Sequence, residues 1–151
     1  MRISLAAGLA LVLAGCASAR SATPAAAANT TLYDRLGGLP AITAVVDDFM
    51  QNVAADERIN ARFAAADLTG LRQKLIDLVC QAAGGSCVYK GRGMKAAHQG
   101  MNIKDAEFDA IAGDLQASLN KFKVPTREQG ELMSVIGSLR PPIVNNGVGS
   151  N

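Results

Sequence analysis

Reactive chemistry in this chain falls to very few side chains: one histidine, His98, and three cysteines, Cys16, Cys80 and Cys87, in 151 residues. An imidazole binds a transition metal through its neutral nitrogen, moves a proton near neutral pH, or sits half-buried with no ligand at all. His98 follows a stretch loosened by Gly91 and Gly93 and precedes a long amphipathic segment. A short helical turn there would present its ring to something held between neighbouring helices. Zinc is set aside, because His98, Cys80 and Cys87 are one ligand short of a closed tetrahedral site and show none of its usual spacings.

The cysteines divide by position. Met1-Arg2 is a short basic start and Ile3 to Gly15 is apolar or small throughout, too short to span a membrane as a helix but the right length for a signal core. Residues 1–15 are read as a signal peptide. Its end, Leu13-Ala14-Gly15-Cys16, resembles a bacterial lipobox, in which the cysteine becomes the lipidated first residue; an ordinary secretory signal cut nearby is the alternative. The expectation is an exported protein on the periplasmic face of a bacterial membrane, with the membrane as partner through lipid on Cys16. Cys80 and Cys87 then remain as an even pair in an exported chain, where disulfides persist. Cys80 lies in the last turns of a predicted helix and Gly84-Gly85 lets the chain reverse, so a Cys80–Cys87 bond would close a loop worth roughly 2.5 kcal/mol in the chain-entropy treatment. Two free buried thiols are the alternative.

Positions 16–30, lipidated Cys16 and an Ala/Ser/Thr-rich stretch, read as a tether with too little apolar bulk to fold, positions 31–145 as one domain, and 146–151 as a disordered tail. Without Arg2 and Arg20 the 15 basic residues become 13 against 13 acids. A neutral domain gives no sign of nucleic acid as a partner. Periodicity near 3.6 recurs in segment after segment, which predicts an all-α domain. Thr31 caps a helix from Leu32 to Leu36 that Gly37-Gly38 stops, and Pro40 opens a second, with Ile42, Val45, Val46, Phe49, Met50 and Val53 on its apolar face. A turn from Arg58 to Phe63 follows. Asp67 or Thr69 caps a third helix striped by Leu68, Leu71, Leu75, Leu78, Val79 and Ala82. Phe108, Ile111, Ala112, Leu115, Leu119 and Phe122 stripe another between Lys104 and Lys123. The last is expected to start with a capping box of Thr126 and Gln129 and to stop before Pro141-Pro142.

The run Gly84-Gly85, Tyr89, Gly91-Arg92, Met94-Lys95, His98-Gln99-Gly100-Met101, Ile103 resembles the truncated haemoglobins of the short, group I type. So does Leu32-Tyr33-Asp34-Arg35-Leu36-Gly37-Gly38-Leu39-Pro40-Ala41-Ile42 with Val45-Val46-Asp47-Asp48-Phe49. The resemblance implies a truncated globin, a two-over-two helical sandwich around haem b, with His98 as the iron ligand. It places Phe63 on the haem face, Phe108 and Ile111 on the side of His98 together with Met94, and Lys74, Tyr89, Arg92 and Lys95 near the haem's two propionates. Leu71 and Leu75 join the haem contacts. Composition agrees: with no Trp, four Phe and two Tyr, a flat macrocycle would supply bulk that four helices lack, although each apolar stripe alone reads more readily as ordinary core than as a cofactor wall. A Cys-x-x-Cys-His motif is missing, so the haem is expected to be held without thioether bonds.

The departure is on the far side of the iron. Where relatives carry a tyrosine after the residue matching Phe49, this chain has Met50, and Leu71, Leu75, Leu78 and Val79 complete an apolar distal pocket. Dioxygen buried without a hydrogen-bond donor loses about 1–3 kcal/mol. Three functions follow as expectations: reversible binding of a diatomic gas (O2, NO or CO), an envelope haem redox enzyme acting on NO, nitrite or peroxide with a reductase as partner, or a cofactor-free helical lipoprotein acting as an interaction module. Whether the chain is an enzyme stays open at this point.

Overall fold

The computed structural model describes residues 30–144. The signal peptide, Cys16, the tether up to residue 29 and the tail after residue 145 lie outside the described residues. Seven helices follow in order: α1 (Leu32–Leu36), α2 (Gly38–Ala55), α3 (Leu68–Ala82), α4 (Met94–His98), α5 (Asp105–Lys121), α6 (Thr126–Ser138) and α7 (Arg140–Ile143), with a 3-10 turn at Asn60–Phe63 between α2 and α3. No strand forms among the described residues, as the periodicity predicts.

Local chemistry sets the entry to the fold. Thr31 Oγ1 accepts from the Asp34 N–H at 3.1 Å while the Asp34 carboxylate accepts from the Thr31 N–H, a reciprocal cap on α1. Gly37 stops α1 at φ 98°, a left-handed conformation a side chain would resist. The Tyr33 hydroxyl then accepts from the Leu39 N–H at 3.0 Å, satisfying a donor at the start of α2 that has no partner within the helix. The long helices form two pairs: α2 packs on α3, α5 packs on α6, and α2 lies against α5. Ile42, Val46, Val53, Ile76, Leu119 and Leu132 are buried at that junction.

Several elements differ from the sequence expectations. On α3 the fully buried residues are Ile76, Val79 and Cys80, while Leu71, Leu75 and Leu78 stay half-buried and Leu68 is exposed. Its leucine stripe therefore faces away from the core, toward a cleft. On α5 the stripe ends early: Phe122 is exposed, whereas Ala110 and Ser118 are fully buried where α2 approaches closely. The capping box at Thr126 does not form, because Pro125 is the cap and Thr126 is already helical. Gln129 instead donates to the Val124 carbonyl at 2.8 Å. Nor do Pro141 and Pro142 simply end the chain of helices; they sit in the first turn of α7, where a missing N–H costs nothing.

A buried polar cluster ties α2 to α5. Asp48, 5% exposed, accepts from Ser118 Oγ at 2.9 Å and from the Lys121 ammonium, and Asn52 donates to Ser118 Oγ at 2.9 Å. The Lys121 ammonium, helped by the Ser118 hydroxyl, holds the Asp48 carboxyl below the usual range although burial opposes it. Arg72 does the same for Asp47 and Arg62 for Glu107. Asp114 has the opposite sign: burial pushes its carboxyl up, and one of its oxygens is buried without a partner. A carboxylate with a lowered folded pKa stabilises the domain fully above its unfolded value, about 3.9 for aspartate, and loses that contribution as pH falls below this and through the folded value. Because the lowered groups outnumber Asp114, the melting temperature is expected to fall on acidification from about pH 5 to pH 3. Asp48→Asn should lower it at neutral pH and shrink that acid-dependent loss. Calorimetry across this range checks it; a melting temperature that stays flat or rises on acidification contradicts the assignment.

Cys80 and Cys87 are joined, with their Cα atoms 5.8 Å apart. The bond pins the loop after α3 to its last turn, and Tyr89 N–H adds a 2.7 Å hydrogen bond to the Gln81 side chain. Mass spectrometry of the purified domain without reductant should show Cys80 linked to Cys87, and reduction should cost about 2.5 kcal/mol, seen as a lower melting temperature. Quantitative labelling of both thiols in the unreduced protein contradicts the linkage.

Candidate functional site

His98 closes the five-residue helix α4. Its Nδ1 lies 2.8 Å from the Met94 carbonyl one turn earlier; a carbonyl only accepts, so Nδ1 carries the hydrogen and Nε2 the lone pair. α4 is held in place by α7, which brings Ile143 to the same cavity as His98.

That cavity is a cleft of about 1060 Å³ between the helix pairs, at the upper end of the range for ligand sites. α2 and α3 contribute Met50, Leu71, Leu75, Leu78 and Val79, and the 3-10 turn contributes Phe63. α4 and α5 contribute His98, Met94, Phe108 and Ile111. Phe108 is braced from behind: the Arg140 guanidinium lies 4.4 Å from its ring centroid and is itself paired with Asp105 and Asp109. Lys74, Tyr89 and Arg92 also line the cleft.

Two expected members behave differently. Lys95 is exposed and lies outside the lining. Met94, Ala97 and His98 line the cleft and centre on the direction of Met94, from which Lys95, one residue on, is turned by about 100°. Tyr89 lines the cleft but donates its one O–H to the Arg92 carbonyl at 3.1 Å, so it braces the loop and has no proton left for an anion.

Lining residues that escaped the sequence reading include Gln51, Asn60 and Arg62. Gln51, the neighbour of Met50, and Asn60 both reach the cleft, so amide groups border a space expected to be without donors. Arg62 also lines it. From the 3-10 turn it donates to the Met101 carbonyl at 2.7 Å and to Glu107 at 2.7 and 2.9 Å, tying that turn to the segment after His98 and to the start of α5. Nothing in local periodicity marks a pair 45 residues apart.

A family model described as bacterial-like globin matches residues 31–145. A group 1 truncated haemoglobin of Mycolicibacterium paratuberculosis is 34% identical over 130 residues, covering 86% of this chain and 92% of the relative. One from Nostoc commune is 40% identical over 116 residues, covering 77% and 98%. Among solved structures, the truncated haemoglobin from Tetrahymena pyriformis in its Fe(III) form superposes with a TM-score of 0.75 at 34% identity, over 78% of this chain and 100% of that one. The 2/2 haemoglobin from a Synechococcus species, in the cyanomet state and with covalently attached haem, gives 0.73 at 33% identity, over 78% and 100%.

Proposed function

The chain belongs to the bacterial-like globin family, in its group 1 truncated haemoglobin branch, and from that premise we propose that the cleft holds haem b through His98 and binds a diatomic gas. The observation that carries the reading is the placement of the only imidazole on the wall of a large cleft whose other wall is a half-exposed leucine stripe. An apolar stripe left half-exposed on a packed helix fits a flat apolar ligand. Cationic side chains of Lys74 and Arg92 on the same lining fit a ligand with carboxylates.

Haem b supplies an iron with one coordination position open to O2, NO or CO. The chain's own residues do the rest. His98 donates its Nδ1 hydrogen to the Met94 carbonyl, which fixes the tautomer and orients the ring with Nε2 left as the ligand nitrogen. Phe63 and Phe108 offer ring faces, the latter fixed by Arg140. Lys74 and Arg92 would meet the propionates of a bound haem, and Tyr89 holds the loop that carries Arg92. Leu71, Leu75, Leu78 and Val79 keep water from the gas side, where Met50 replaces the family's tyrosine.

The lipobox-like Leu13-Ala14-Gly15-Cys16 supports a protein exported and anchored by lipid on the periplasmic face of a bacterial membrane. Gas kinetics test the functional reading. Stopped-flow mixing should show reversible O2 and CO binding without consumption of the gas. Sustained turnover of NO, nitrite or peroxide with an electron donor would instead make the protein a redox enzyme served by a reductase.

A further inference from the structure

We propose that the loop from Gly84 to Gly93, with the first turn of α4, is a docking face for an anionic phospholipid surface, so that the cleft mouth is held against the membrane. The proposal rests on the reading that Cys16 carries a lipid anchor.

Charge is the first observation. From Leu78 to Lys104 the chain has four cations, Lys90, Arg92, Lys95 and Lys104, and no acid, while the rest of the otherwise neutral domain has 9 cations against 13 acids. Elsewhere Arg35, Arg58, Arg62, Arg72, Arg127 and Arg140 are all in ion pairs. Lys90, Arg92 and Lys95 have no side-chain partner among the described residues. Lys90 lines the cleft beside Lys74 and Arg92, three cations for the two carboxylates a haem would bring, and Lys95 lies outside the lining, so this rim keeps positive charge in excess of the haem's two carboxylates.

The second observation is apolar. Val88 is 64% exposed, the highest value among the large exposed hydrophobic residues described. It is displayed by a braced loop: Cys87 before it is bonded to Cys80, and Tyr89 after it is tied to Gln81. An exposed aliphatic side chain on a loop that also carries Lys90 and Arg92 matches an interfacial lipid contact, in which the apolar group enters below the headgroups and the cations meet phosphates.

The third is where the chain enters the domain. Tyr33 N–H donates to the Ala83 carbonyl at 2.8 Å, and a Cβ added to Gly84 would meet Thr31 at 3.3 Å. Position 31, at which the lipid-bearing segment ends, is therefore packed against the root of this loop. The fourteen residues from Ala17 to Thr30 reach at most about 50 Å. The chain that would carry the lipid therefore enters the domain at the root of the charged loop, close enough for both to meet one membrane surface.

The test uses the haem-loaded chain from Ala17 to Asn151, which lacks leader and lipid site. It should fold unaided, since the core described lies within residues 42–144 and the whole Tetrahymena chain matches this domain. Sedimentation with phosphatidylcholine vesicles containing phosphatidylglycerol should carry the protein down, vesicles of phosphatidylcholine alone should not, and added salt should release it. Each surface cation contributes about fivefold, so Lys90→Ala with Lys95→Ala should weaken binding about 25-fold. Val88→Asp should also weaken it, whereas Lys123→Ala, after the far end of α5, should leave it unchanged, with melting temperatures retained throughout. Failure to bind the anionic vesicles overturns the lipid assignment and turns the patch toward an acidic protein partner; binding unaffected by the double substitution overturns the choice of face. Mass spectrometry of the full-length membrane-extracted protein reads acylation of Cys16 separately. A chain without lipid there refutes the anchor, while the vesicle result still decides the docking face.

Discussion

His98→Ala is expected to abolish stable haem retention while leaving a folded, helical apoprotein. His98 is half-buried and sits in a five-residue helix outside the main core, so truncating it creates no large internal cavity and should cost little of the stability that resides between α2, α3, α5 and α6. The axial bond is a different matter, because the other cleft contacts are apolar or peripheral and the described residues offer no second imidazole. The measurement is haem content after purification, by the Soret band and by iron, alongside circular dichroism. The variant should carry little or no haem and keep its helical signal. A His98→Ala protein with full haem loading and an unchanged ferrous spectrum contradicts the assignment of His98 as ligand.

The parts legible in the sequence are those written locally. The long helices follow from 3.6-residue spacing, and Thr31, Gly37 and Gly84 mark boundaries through capping and left-handed backbone, as the structure has them. His98 was legible because it is unique and sits in a motif-like run. Asp48 was not: a carboxylate in an apolar stripe reads as an exposed interruption until Ser118 and Lys121, some 70 residues away, are brought over it. The exposure of Lys95 outside the lining was not legible, because family resemblance carries residue type but not the rotation of a five-residue turn. The leucines of α3 were read correctly as apolar, yet only packing distinguishes Ile76, which is core, from Leu71 and Leu75, which line the cleft. Gln51 and Asn60 were invisible because an amide on a helix edge looks solvated until the cleft is seen beside it.

Met50→Tyr is expected to slow oxygen release by about tenfold or more. The α2 and α3 side chains nearest in sequence to the gas side, Met50, Leu71, Leu75, Leu78 and Val79, have no N–H or O–H, and dioxygen held there gains no hydrogen bond from them. One good hydrogen bond to a polarised ligand is worth about 1–3 kcal/mol, and each 1.4 kcal/mol is a factor of ten. CO, which needs no donor, should change far less, so the ratio of oxygen to CO affinity should rise in the variant. Stopped-flow displacement of oxygen by CO reads both rates. Slow release by the wild-type protein, unchanged in Met50→Tyr, would mean that Gln51 or Asn60 already supplies a donor from the cleft lining, and that the gas side is not apolar in function.

Haem titration into the purified apoprotein, followed by anaerobic reduction and addition of CO, bears on the site as a whole. One haem per chain, a ferrous spectrum of a single histidine ligand and a clean shift on CO addition are the outcome for a cleft that holds haem b through His98 with an open position for gas. No saturable uptake of haem, or an absorption spectrum indistinguishable from haem free in buffer, would contradict it.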